Sequence, residues 1–321
     1  MTEAVSPRSL DSPGPRSQTR AMGRGVRPSW FALCLLALIF LPACKKTPPP
    51  LATVSRLRLS PAGITQHPWL GLSQEELLGR ARASMQAGGA IVFRKEGKEG
   101  AESDWKAVLE ITHVRALPSG PGEAGSRAEV GALISLERDG ERFRSDAIGE
   151  HHFAPHDPQI RTEAFRRALD GALEEASRLL VLQLTSARKS EAELIADLAS
   201  DDADLRDLAI RILTERKSAA AVDHLIPRLD DEDRNVQLRT IGALVEIGDP
   251  SAVPALVEAT AQRDPGFVVQ VAYALGEFGD EEAEAFLFTA STGHPEPAVR
   301  RAATEALENL RRRRAASQQQ P

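Results

Sequence analysis

The sequence is poor in sulfur and in aromatic rings: 321 residues include two Cys, three Met and one Tyr, and aromatic side chains make up 4%. It has no excess of basic charge either, with 40 Lys+Arg against 46 Asp+Glu, which argues against a nucleic-acid binder. The apolar run Trp30 to Leu41 (WFALCLLALIFL) is 12 residues long, short of the roughly 17 to 25 that a membrane-spanning helix needs. No nucleophile elbow, P-loop, zincin helix or paired-carboxylate signature stands downstream of it, so neither an enzyme nor a cofactor is expected. The 42% apolar and 27% charged residues are ordinary for folded protein, and the length suits about two domains of roughly 150 residues.

What is present begins with an export signal. Arg20, Arg24 and Arg27 precede the apolar run, whose length fits a signal-peptide core of roughly 7 to 15 residues. The run ends in Leu41-Pro42-Ala43-Cys44, followed by Lys45-Lys46. These residues resemble a bacterial lipobox. The resemblance implies cleavage before Cys44, lipidation of Cys44, and a lipoprotein at the outer membrane facing the periplasm, since Lys45 rather than Asp follows the cysteine. The Pro/Ser-rich residues 1–21 are long for such a signal, and Met22 is an alternative start. Loss of residues 1–43 removes five Arg with Glu3 and Asp11, leaving 35 basic and 44 acidic residues. Cys34 leaves with them. Cys44 would then be the one thiol, and disulfides, thiol catalysis, iron–sulfur clusters and Cys-based zinc sites are all excluded. Residues 44–53 carry three prolines and read as a lipidated Cys with a tether, whose nine residues from Lys45 to Thr53 span about 28 Å at roughly 3.1 Å per residue.

Residues 54–188 switch periodicity repeatedly, as a mixed α+β domain does. Val54 to Leu59 and Ala90 to Arg94 read as short strands, with a helix opened by the capping box Ser73-x-x-Glu76 between them. Trp105 to Ala116 and Glu129 to Arg138 alternate, and Asp139-Gly140 joins the second to Glu141 to Gly149 as a hairpin. A long amphipathic helix, about 160 to 187, carries Phe165, Leu169, Ala172, Leu173, Ala176 and Leu180 on one side. An antiparallel sheet against two helices is the simplest assembly of these parts. Gly120-Pro-Gly-Glu-Ala-Gly125 has the letters of a dinucleotide fingerprint, yet a strand rather than a helix follows it, so a hairpin loop is expected. His151, His152, His156 and Asp157 are the densest group of potential metal ligands, although adjacent His151 and His152 on a strand would face opposite ways.

From Ser190 the sequence repeats with a period of 31, fixed by Leu244-Val-Glu-Ile-Gly-Asp249 against Leu275-Gly-Glu-Phe-Gly-Asp280. Acidic residues recur at Asp202, Asp233, Asp264 and Glu296, where a carboxylate can cap a helix; Pro265 and Pro297 follow two of them. Apolar columns at Leu205/Val236/Phe267/Val299, Ile210/Ile241/Ala272/Ala303 and Leu213/Leu244/Leu275/Leu307 share one face, which must be buried. Helix pairs of this period, with Arg206 and Arg300 after the apolar position but Gln237 and Val268 in the other copies, resemble HEAT repeats of the short type found in phycobilin lyases. The resemblance covers residues 190–315 in about four units, with 316–321 a disordered tail, and implies an all-α solenoid whose second helices line a concave protein-binding surface.

Helical phase places Glu215, Glu246 and Glu277 in one exposed column ending at Asn309, with Arg211, Gly242, Tyr273 and Glu305 beside it and Arg239 on the same face. An exposed tyrosine next to a carboxylate ridge is a favoured binding composition, so Tyr273, Glu215, Glu246, Glu277 and Arg239 are the candidate contacts with a protein partner. Arg311 to Arg314 complement the last helix end, or else attract an anionic surface. The reading is therefore a lipid-anchored adaptor. Alternatives are a small-ligand or cell-wall binding lipoprotein acting through the α+β domain, and a metal-dependent enzyme using His151, His152 and His156.

Overall fold

The computed structural model describes residues 49–64, 66–95, 103–118, 125–154, 157–261 and 263–318. The signal segment, Cys44 with residues 45–48 of the tether, residues 120–124 of the glycine motif, and His156 lie outside these. From Pro49 onward the chain is one compact unit. It holds two apolar cores.

The first core lies under a five-stranded sheet of order β2-β1-β3-β4-β5, made of β1 Ala52–Leu59, β2 Ile91–Phe93, β3 Trp105–Pro118, β4 Ser126–Arg138 and β5 Glu141–Phe153. The sheet is mixed, which corrects the antiparallel expectation: β1 pairs in parallel with both β2 and β3, and only β3–β4 and β4–β5 are antiparallel. The cause is the helix α1, Gln74–Gln86, between β1 and β2. A helix-length crossover lets the chain re-enter the sheet in the same direction. Residues Ala52 and Thr53 belong to β1, with Ala52 buried, so the tether ends two residues earlier than expected.

Local chemistry accounts for the joints. Ser73 and Glu76 form the capping box of α1, with both backbone N–H groups satisfied. Asp139 and Gly140 both have positive φ, +49° and +85°, the pair that a two-residue turn matching strand twist requires. The second long helix, α2, Pro158–Ser186, is capped by Asp157 and buries Phe165, Leu169, Ala172 and Leu180 on the sheet. Arg80 of α1 forks onto Asp170 of α2 at 2.6 Å, and Arg166 donates to the carbonyls of Leu70 and Gly71. The sheet ladder brackets the glycine motif: Pro118 pairs with Ser126 in the antiparallel β3–β4 ladder, so a strand and not a helix follows the motif, and a pyrophosphate would meet no helix N-terminus there.

The second core is built by four helix pairs: α3 Glu191–Asp197 with α4 Ala203–Glu215, α5 Val222–Leu225 with α6 Arg234–Ile247, α7 Val253–Glu258 with α8 Pro265–Phe278, and α9 Glu281–Gly293 with α10 Pro297–Gln318. The last helix extends into the expected tail as far as Gln318. Asp202, Asp233 and Asp264 each accept backbone N–H groups of the following helix, at 2.9, 2.7 and 3.1 Å respectively. The recurring apolar columns are buried in every pair, Leu205 alone being half exposed.

The substituted ladder position keeps its task by other means. Arg206, Gln237 and Arg300 each donate to the carbonyl six residues back, on Ser200, Asp231 and His294 at 2.7, 2.5 and 2.6 Å. Val268 cannot, and is buried instead.

Helix ends repeat as well. Gly248 and Gly279 close α6 and α8 in the left-handed region, both at φ +75°, and the same position after α4 is Lys217 at φ +50°. A side chain there strains the backbone, whereas glycine does not. Lys217→Gly is expected to raise the stability of the array by about 1 kcal/mol in urea unfolding, despite losing the exposed pair with Glu246 at 3.6 Å. A lower midpoint would mean that the pair outweighs the strain.

Candidate functional site: the groove along the second helices

The second helices α6, α8 and α10 lie side by side because small residues let them approach. A Cβ placed on Gly276 of α8 would stand 2.9 Å from Cβ of Ala306 on α10, whereas a Cβ on Gly242 of α6 would meet nothing within 4 Å. The first glycine fixes helix spacing. The second leaves open space, which is part of a groove of about 310 Å³ walled by Leu238, Ile241, Val245, Glu246, Tyr273, Glu277 and Asn309.

Three expected contact residues, Glu246, Tyr273 and Glu277, therefore line one groove. Glu215 lies elsewhere, in a cleft between the first pair and the sheet, and Arg239 pairs with Asp207 of α4 and is not among the lining residues. Each groove residue is also tied to a neighbour. The Tyr273 hydroxyl donates to Glu305 Oε2 at 3.0 Å, and that carboxylate pushes the hydroxyl above its ordinary pKa. Glu277 pairs with Arg313, and Glu246 stands 3.6 Å from Lys217. The ridge is thus partly neutralised by its own chain. Tyr273 and Leu238 remain 41% and 37% exposed, the largest apolar surfaces in the groove.

Leu238 and Val245 were not singled out from the sequence, whereas Ile241 belongs to the expected inward column and is buried. Leu238 stands three residues before Ile241 and Val245 four after it, which widens the apolar stripe of α6, and that width was the available signal.

Residues 191–273 match the family model of HEAT repeats. The match takes in the first two helix pairs and most of the third, and the HEAT-like geometry continues through α9 and α10. Helix-pair repeats stack into solenoids whose concave surfaces serve as interaction scaffolds. Among solved structures, the complex of CpcE and CpcF of phycocyanin lyase from Nostoc sp. is 23% identical, with a TM-score of 0.30; the match covers 39% of this chain and 66% of that one, just under two thirds of its length. No curated protein matches.

Of the histidine-rich segment, His151, His152 and Asp157 are described. His151 and His152 end β5, opposite Ala128 and Arg127, and so point to opposite faces. The Asp157 carboxylate is occupied as the cap of α2, accepting from Gln159 N at 2.8 Å. Among the described residues no three His, Cys, Asp or Glu side chains converge as metal ligands, and no helix is long and apolar enough to cross a membrane. Arg311 and Arg314 both pair with Glu284 of α9, which binds the last helix to its partner.

Proposed function

We propose that this chain is a lipid-anchored, periplasm-facing adaptor, without chemistry of its own, that holds a protein partner in the groove of its second helices. The lipobox-like residues ending at Cys44 support the anchor. The observation that carries the binding role is the groove itself, which the exposed Tyr273 ring and Leu238 line together with Glu246 and Glu277. Such a surface suits a partner segment with one apolar anchor flanked by Lys or Arg, because aromatic anchors supply contact area while carboxylates select the flanking charge.

A photoreactive residue at position 273, followed by identification of the crosslinked protein, tests the groove. Tyr273→Ala is expected to weaken capture of that protein about tenfold or more, and Glu246→Lys to reduce it in a salt-dependent way. Gly242→Trp, which fills the open space, should abolish it with helicity retained. Capture that survives Gly242→Trp would reject the groove. Mass spectrometry of the membrane-fraction protein, with Cys44→Ala as control, tests the anchor separately.

A further inference from the structure

A second concave surface lies between the sheet and the first helix pair. Arg142, Phe143 and Arg144 at the start of β5, Gln183 and Ala187 at the end of α2, and Arg211, Ile212, Glu215 and Arg216 of the α4 end line a cleft of about 440 Å³. Four arginines and one glutamate line it, in a chain whose acidic residues outnumber its basic ones.

Two of those cations have structural tasks. Arg216 donates to the carbonyls of Lys189 and Ala187, which holds the α2–α3 turn against α4, and Arg142 pairs with Glu137 at 2.7 Å. Among the described residues the guanidinium groups of Arg144 and Arg211 have neither a hydrogen-bond nor an ion-pair partner. The backbone around them is fixed: the Gln183 amide donates to the Arg144 carbonyl at 3.0 Å, tying β5 to α2. Phe143 and Ile212 add an apolar wall. Cations lining one cleft repel one another, which a bound ligand of opposite charge would relieve.

We propose that this cleft binds a phosphate group, with Arg144 and Arg211 as its principal ligands and Arg142 and Arg216 completing the positive surroundings. Guanidinium forks match phosphate oxygens two at a time, and a dianion answers a net positive lining better than a single carboxylate does. The phosphate has two sources, a soluble phosphate ester or a phospholipid headgroup. The second rests on the anchor proposed above.

The test uses the full chain and its Arg144→Gln/Arg211→Gln double variant, with Arg56→Gln/Arg58→Gln, two exposed arginines outside the cleft, as a charge-matched control. Inorganic phosphate is titrated calorimetrically, and co-sedimentation is measured with phosphatidylglycerol and phosphatidylcholine vesicles; the N-terminal segment is common to all variants, so the readout is the difference between them. A Kd for phosphate below about 1 mM, weakened about tenfold or more in the double variant alone, supports a soluble ester. Retention on phosphatidylglycerol over phosphatidylcholine that the double variant loses, without binding of free phosphate, supports the headgroup. Equal behaviour of the double variant and wild type in both arms overturns the site. So does Arg-dependent binding of a hexaglutamate peptide with neither phosphate form bound, since the cleft would then read acidic protein. Unchanged melting temperatures confirm that both substitutions, made at exposed positions, leave the fold intact.

Discussion

Replacing Asp231 by Ala should cost the repeat array about 3 to 5 kcal/mol, measured by urea unfolding at neutral pH. Asp231 and Arg206 form a pair in which both side chains are almost wholly inaccessible, at 2% and 3% exposure, with Nη2 to Oδ1 at 2.7 Å. The pair joins the first helix pair to the second. Its carboxylate also accepts from the Asp233 amide at 3.0 Å, in the turn just before α6. Removing the carboxylate strands a buried guanidinium whose Nε already has no partner, leaving it only the Ser200 carbonyl and the more distant Glu232. The reverse deletion, Arg206→Met, should cost less, because Arg228 and the Asp233 amide still face the carboxylate. A cycle completed with Asp231→Ala on Arg206→Met should cost less than the two single changes summed.

The same pair gives a pH signature. Burial alone would raise the Asp231 carboxyl, but the Arg206 guanidinium, the Asp233 amide and the Arg228 charge together hold it below the ordinary aspartate range. A carboxyl depressed by folding adds stability that is fully present above the unfolded value near 4 and is lost as pH falls through the folded one. The stability gap between wild type and Asp231→Asn should therefore be constant from about pH 5 upward and narrow below about pH 4. A gap independent of pH down to acid unfolding would mean that the Asp231 charge does not contribute.

Gly149→Ala is expected to destabilise the sheet half by about 3 kcal/mol or more, while Gly171→Ala, directly across from it, should stabilise by up to about 1 kcal/mol. The contrast comes from how closely α2 crosses β5. A Cβ at Gly149 would sit 1.8 Å from the Ala168 carbonyl oxygen and 2.6 Å from Ala172 N, both main-chain atoms that cannot rotate away. A Cβ at Gly171 would find only the Gly149 Cα, at an ordinary 4.0 Å. Gly171 is exposed within a long helix, so alanine there only removes backbone freedom from the unfolded chain. Thermal unfolding of the two variants decides the matter. A neutral Gly149→Ala would show that α2 and β5 can separate at little cost.

Much of the fold was legible because it depends on short-range rules. The capping box at Ser73 and Glu76, the Asp139-Gly140 turn, the aspartate caps and the buried columns are all set within a few residues, and the structure places each as expected. The direction of β1 was missed although its signal was present: strand, helix, strand in succession is the pattern of a parallel crossover. The groove was half legible. Helical phase brings Glu246, Tyr273 and Glu277 to one face, but it says nothing of which neighbours neutralise them, because Arg313 and Glu305 reach across from another helix.

By itself, then, the sequence determined the helix pairs, their period and the inward columns, since a 31-residue repeat of caps and apolar positions can bury its stripe only by stacking. Tertiary structure decided three things. It turned an expected antiparallel sheet into a mixed one, it carried Glu215 away from the ridge and into an arginine-lined junction, and it allowed Gly149 no substituent. Each of these depends on contact between segments far apart in the chain, where backbone direction and interhelical distance are set by packing and not by local propensity.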